Sequence, residues 1–282
     1  MLRIAVPNKG ALSEAAVQLL KEAGYKTRRS GRELVLLDHS NEVELFFLRP
    51  RDIAVYVGEG SIHVGITGRD LLADTPNCAA IEHRALGFGA SQFRFAGPAG
   101  QYSTLSQLEG ARIATSYDTL VRNYLTEQGL NAKVVHLDGA VESSVQLGVA
   151  DLVADVVETG STLKAAGLEV FGPTVMQSEA VLITRPDHVE DPGLRKLDRR
   201  IHGVLVAREY VLVDYDIPAD HLDQAVAVTP GLQSPTVSAL HDPAWKAVRS
   251  MVRRKVLNDA MDQLADMGAR GIIVTDIVAC RL

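Results

Sequence analysis

The chain has 282 residues, 46% of them hydrophobic and 23% charged, which excludes intrinsic disorder and suits two or three folded domains. A net charge of −6 argues against nucleic acid as the main partner, and no apolar run of about 18 residues is available to span a membrane. Two widely spaced cysteines, Cys78 and Cys280, form neither a zinc motif nor a redox pair, and the opening MLRIAVPNKG lacks a signal-peptide core; the expected location is the cytoplasm.

Residues 2–6 predict a buried strand that turns at Pro7-Asn8-Lys9-Gly10 into a helix. Leu12, Ala15, Ala16, Leu19, Leu20 and Ala23 form its apolar face, and Gly24 stops it. Further strands are expected at 33–37, 43–48 and 62–67, with a short helix over 53–57. Three strands thus end in loops carrying cations: Lys9, the pair Arg49 and Arg51, and Arg69 beside Asp70. Ligands of open α/β sheets bind beyond the carboxyl ends of the strands, so this recurrence points to one polyanionic ligand. Taken singly, each arginine reads as a surface ion pair of small worth.

A second α/β unit begins near Phe88-Gly89-Ala90, with strands at 92–96, 111–115 and 132–137 and a helix over 118–128. Thr115-Ser116-Tyr117 repeats the strand–polar loop–helix pattern of Pro7–Gly10 and is a candidate to face a ligand from the opposite lobe; capping is the plain alternative for Ser116 and Asp118. The apolar strand 152–157 then delivers Glu158-Thr159-Gly160-Ser161-Thr162 into a short helix over 163–166, stopped by Gly167. Such a loop offers backbone N–H groups and hydroxyls to an anion. Asp155 and Glu158, just ahead of it, suit sugar hydroxyls or magnesium instead. The combination implies a phosphorylated sugar; the plain alternative is a helix cap.

A strand at 179–184 returns the chain towards the first unit, producing two lobes with a cleft, as in the type II periplasmic binding-protein architecture. The first lobe is expected to comprise 1–88 and 180–202 and the second 89–179, with 185–202 as a polar connector. Beyond it, strands at 204–214, 234–240, 245–252 and 272–280 alternate with helices at 219–228 and 258–267. That β-α-β-β-α-β order over 203–282 is ferredoxin-like.

Glu142, Gly148, Ala150, Val153, Asp155, Val156, Thr159, Gly160, Thr162 and Leu163 together resemble the signature of the ATP phosphoribosyltransferases, and the resemblance extends over the whole chain. It implies transfer of phosphoribosyl from phosphoribosyl pyrophosphate (PRPP) to N1 of the adenine of ATP, with release of pyrophosphate, as the first step of histidine biosynthesis. Asp155, Thr159, Gly160, Ser161 and Thr162 are then expected to hold PRPP. Lys9, Arg49, Arg51 and Asp70 would serve ATP and pyrophosphate, with Asp155, Glu158 and Lys9 as catalytic residues. Mg2+ would ride mainly on the pyrophosphate, with Asp155 and Glu158 as its protein ligands. The ferredoxin-like domain marks the long form of the family, inhibited by L-histidine, and suggests Asp216, Leu232, Ser234, Thr236 and Gly271 as the effector site. The resemblance also implies a homo-oligomer, a hexamer built from dimers. A prephenate dehydratase is the nearest rival, but its motif is echoed only by Thr184-Arg185-Pro186, without the aromatic. A solute-binding protein of the same fold is the non-enzymatic alternative, opposed by the missing signal peptide.

Overall fold

The computed structural model describes residues 1–28 and 33–281, so Leu282 of the expected C-terminal domain lies outside them. The first lobe contains β1 (Leu2–Pro7), α1 (Ala11–Glu22), β2 (Val35–Asp38), β3 (Val43–Leu48), α2 (Pro50–Gly58), β4 (Val64–Gly68), α3 (Arg69–Asp74) and β5 (Ile81–Ala85). The second contains β6 (Ser91–Pro98), β7 (Arg112–Thr115), α4 (Asp118–Glu127), β8 (Lys133–His136), α5 (Ser143–Gln146), β9 (Leu152–Val157), α6 (Ser161–Ala165) and β10 (Leu168–Ser178). β11 (Ala180–Thr184) returns to the first sheet, whose order is β2-β3-β1-β4-β11-β5. The chain leaves that sheet after β5 and re-enters it at β11, the double crossing of the expected two-lobed fold.

β1 runs parallel to both β3 and β4, so the loops after Pro7, Leu48 and Gly68 open side by side. All five residues of β4 are buried, as befits a parallel strand covered on both faces. The second sheet has the order β10-β6-β9-β7-β8, and β7 pairs in parallel with β8 and β9. Phe93 and Phe95 pack with Leu120, Val121 and Leu125 of α4 on one face. Ala96, Val153, Leu163 and Leu168 close the other.

α7 (Pro192–Glu209) follows, then β12 (Tyr210–Pro218), α8 (Leu222–Val228), β13 (Thr236–Ala239), β14 (Trp245–Arg253), α9 (Leu257–Asp266) and β15 (Arg270–Asp276). The antiparallel order β13-β14-β12-β15 is the ferredoxin-like arrangement. Val211, Val213, Tyr215 and Ile217 pack with Ala225, Ala260 and Leu264 of the helices, and the intervening Asp214 and Asp216 take the opposite face.

By internal contacts the chain divides into Met1–Lys21 with Tyr25–Arg195, and Glu22–Gly24 with Lys196–Leu282. The expected boundary between 202 and 203 falls inside α7, and residues 204–209 are helical rather than the start of a strand. The apolar run Val204-Leu205-Val206-Ala207 reads as a strand by itself. Leu194, Leu197, Ile201 and Val204, all buried, reveal the helical spacing that governs it.

Candidate functional site

Loops from both lobes converge at the carboxyl ends of parallel strands. Asn8 N–H donates to the Leu48 carbonyl at 2.8 Å, which holds the loops after β1 and β3 together. Lys9 and Arg49 project from these two loops, both exposed, and among the described residues neither has an ion pair or hydrogen-bonding partner for its charge. They are two unpaired cations on the first lobe's rim.

Arg51 and Arg69 differ. Arg51 pairs with Asp74, donates to the Ser116 carbonyl at 2.7 Å and lies 4.8 Å from the Tyr117 ring centroid. Arg69 forks onto Glu82 at 2.7 and 2.8 Å and reaches Glu179 at 3.3 Å; these carboxylates hold its guanidinium firmly protonated. Arg51, expected to serve ATP and pyrophosphate, thus already has Asp74 and the Ser116 carbonyl as partners for its charge. Asp70, 7% exposed, accepts the Ser178 hydroxyl at 2.7 Å; burial first, and then Asp70, push the Tyr117 hydroxyl above the ordinary tyrosine range.

Asp155 sits near the end of β9. Burial pushes its carboxyl above the usual carboxylate range, and the charges of Glu142 and Asp70 push the same way. The Val156 N–H, 2.8 Å away, and Arg51 act in the opposite direction. The carboxylate charges felt at Asp155 are those of Glu142 and Asp70. Glu158 is exposed and lines a cavity of about 660 Å³ with Gln92, Arg94, Gly160 and Lys164. Among the described residues no three His, Cys, Asp or Glu side chains stand together as a metal site.

The loop itself is open for an anion. Gly160 takes φ +72° at the start of α6, a left-handed conformation that glycine adopts without strain, and no side chain caps the helix. Thr159 and Ser161 hydroxyls lie 3.0 Å apart, and Thr162 is exposed beside them. Sequence reasoning placed Tyr117 in a loop that could face a ligand but gave its side chain no role, and it assigned Glu142 none. Tyr117 carries no local signal beyond its place in a strand-to-helix loop.

In the ferredoxin-like domain, Asp216, Thr236 and Gly271 line a cavity of about 460 Å³ with Asp214, Ser238 and Arg249. Arg249 is held by Asp214 at 2.7 Å. Leu232 and Ser234 lie outside this lining; Leu232 is exposed and the Ser234 hydroxyl donates to the Pro235 carbonyl at 3.4 Å. Gly271 has φ +59°, a left-handed conformation that favours glycine, and open space where a Cβ would stand.

A family model described as ATP phosphoribosyltransferase matches residues 49–203, and one described as "HisG, C-terminal domain" matches 207–279. The curated ATP phosphoribosyltransferase of Pseudarthrobacter chlorophenolicus is 61% identical over 285 residues, covering 100% of both chains. That of Micrococcus luteus is 62% identical over 283 residues, again covering 100% of both. Among solved structures, the "ATP phosphoribosyl transferase (HisG:HisZ) complex" of Thermotoga maritima is similar at a TM-score of 0.61 and 27% identity, covering 72% of this chain and 99% of that one.

Proposed function

The chain belongs to the ATP phosphoribosyltransferase family, the enzymes of the first step of histidine biosynthesis, and on that premise we propose how its residues divide the reaction. The reaction moves phosphoribosyl from PRPP to N1 of the adenine of ATP and releases pyrophosphate. Adenine N1 carries no proton to remove, so no general base is needed. What the protein must supply is a fixed nucleophile and an electrostatic setting for an oxocarbenium-like transition state.

The observation that carries the assignment is Asp155 standing directly before an open, uncapped anion loop. In this reading the N–H groups and hydroxyls of Thr159, Gly160, Ser161 and Thr162 hold the ribose 5-phosphate, and Asp155 receives the ribose hydroxyls. Lys9 and Arg49 take the pyrophosphate and the ATP phosphates. Arg51 and Asp70 act between the lobes rather than as free ligand arms. Magnesium enters with PRPP as part of the substrate, reducing the charge of the leaving pyrophosphate. Mg2+ typically takes one or two carboxylates with phosphates and waters, which suits a site without a pre-formed cage; Glu158, exposed at the loop, is the side chain assigned to it.

L-histidine is proposed to inhibit by binding the ferredoxin-like cavity, with Asp216 facing its amino group or imidazole and Thr236 its polar end. Assembly as a homo-oligomer, a hexamer built from dimers, and a cytoplasmic location complete the reading; the family resemblance supports both. The test is pyrophosphate release by the purified full chain. Release requiring ATP, PRPP and Mg2+ together, abolished by chelator and restored by Mg2+, is expected, with inhibition by L-histidine. Release without ATP, or insensitive to chelator, would contradict the respective part.

A further inference from the structure

The chain crosses between the lobes twice, and a single carboxylate ties the two crossings together. The first crossing is residues 86–90, between β5 and β6; the second is Glu179 alone, between β10 and β11. Main-chain bonds lay them side by side: the Leu86 N–H donates to the Ala180 carbonyl and the Ala180 N–H to the Phe88 carbonyl, both at 2.9 Å. The Glu179 side chain reaches further. One carboxylate oxygen accepts the Gly87 N–H of the first crossing at 2.9 Å, and the other accepts from the Arg69 guanidinium at 3.3 Å. The Glu179 carbonyl accepts the Arg69 N–H at 3.0 Å.

Arg69 anchors this knot. It opens α3 directly after β4, grips both carboxylate oxygens of Glu82 on β5, and donates to the Gln177 carbonyl of the second lobe at 3.3 Å. The three side chains are partly buried, so salt and water screen their charges less than at the open surface. At the other end of α3, Asp74 accepts the Leu120 N–H of the second lobe and pairs with Arg51, which reaches the Ser116 carbonyl. The short helix α3 thus fastens the second lobe at both of its ends. One fastening would leave the lobes free to pivot about it; two, a helix length apart, fix the angle.

PRPP is the ligand that this angle concerns. With its 5-phosphate on the loop from Thr159 to Thr162 and its pyrophosphate on Lys9 and Arg49, it spans both lobes. A spanning ligand gains fully from its two contacts only when the lobes already stand at the right angle; otherwise part of its binding energy goes into ordering them. We propose that Glu179 is a positioning residue for the transfer: held by Arg69, it fixes the lobe angle that presents the second lobe's loop and the first lobe's Lys9 and Arg49 together to PRPP. The inference rests on that division of PRPP between the lobes.

Glu179→Gln keeps the size of the side chain but has one acceptor oxygen in place of two, so it serves Arg69 or Gly87 and not both. Its KM for PRPP should rise about tenfold, the scale of one hydrogen bond to a charged group, with kcat at saturating PRPP nearly unchanged. The inhibition constants of pyrophosphate and of ribose 5-phosphate, each of which touches one lobe only, should stay as in the parent. Arg69→Lys keeps the charge, loses the fork and should give the same pattern. An unchanged KM for PRPP, a loss of kcat alone, or an equal weakening of all three ligands overturns the proposal. Thr162→Ala and Lys9→Ala read the underlying division separately: the first should weaken ribose 5-phosphate but not pyrophosphate, the second the reverse. If they do not divide so, that reading falls and this inference with it; if they do while Glu179→Gln leaves the KM for PRPP unchanged, the inference falls alone.

Discussion

Asp74 of the first lobe accepts the backbone N–H of Leu120 in the second, 3.1 Å away, within the first turn of α4. That helix has no side-chain cap of its own, so a carboxylate from the other lobe takes the place. The same carboxylate, 6% exposed, pairs with Arg51. Asp74→Ala should strand a buried N–H and a guanidinium and cost about 1–3 kcal/mol, discounted for the half-exposed arginine. Asp74→Asn keeps an acceptor for Leu120 and should lose less. Denaturant midpoints compare the two; an Ala variant with the parent midpoint would contradict the interlobe cap.

Asp155 makes a prediction in two directions. Its carboxyl is raised by burial first and then by Glu142 and Asp70, so the folded protein holds that proton more tightly than the unfolded chain. Its contribution to stability therefore declines as pH rises from the ordinary carboxylate value through the raised one. Asp155→Asn should consequently be at least as stable as the parent at neutral pH in a thermal melt. Its kcat/KM for PRPP should nonetheless fall about tenfold or more.

Glu142 tests the same cluster through acidity. Glu142→Gln removes one charge that raises Asp155, so the acid limb of the kcat/KM profile for PRPP should move to lower pH. A limb that stays in place would separate Glu142 from Asp155.

Gly160 tests the loop. A Cβ there would meet nothing nearer than Val157 Cγ1 at 3.7 Å, so room is not the constraint; the φ of +72° is. Gly160→Ala should cost about 1 kcal/mol through the left-handed conformation, and Gly160→Asn less. The KM for PRPP should rise in the same order, Ala above Asn. Equal values for the two would mean that the backbone conformation does not govern the loop's binding.

The cavity proposed for L-histidine has a reporter beside it. Trp245, the single tryptophan, has Arg270 4.8 Å from its ring centroid, and Arg270 pairs across the sheet with Asp216. L-histidine should change Trp245 emission over the concentrations that slow pyrophosphate release. Asp216→Ala and Thr236→Ala should raise the half-inhibiting concentration about tenfold, and Leu232→Ala, outside the cavity, much less. Inhibition equally weakened by Leu232→Ala would move the site to the exposed 230–235 segment.

Lys9 and Arg49 were legible from the chain because each follows a short buried strand, and parallel strands open their loops on one side. The loop from Thr159 to Thr162 was legible for the same local reason. Arg51 and Arg69 read identically to them and yet are spoken for. Their partners, Asp74, Ser116, Glu82 and Glu179, lie elsewhere in the chain, up to 110 residues away, and no spacing advertises the match. Residues 204–209 failed differently: an apolar run satisfies a strand locally, and only its continuation from Leu194 reveals a helix.

The sequence by itself determined the family, the two-lobed and ferredoxin-like folds, and the Gly-Ser-Thr loop with Asp155 ahead of it, all encoded within short contiguous windows. The tertiary structure alone decided which cations are paired, which carboxylate charges are felt at Asp155 and that the Tyr117 ring meets Arg51 of the other lobe. Those outcomes depend on distances between segments remote in the chain, and electrostatic and hydrogen-bonding partners are chosen by distance in space.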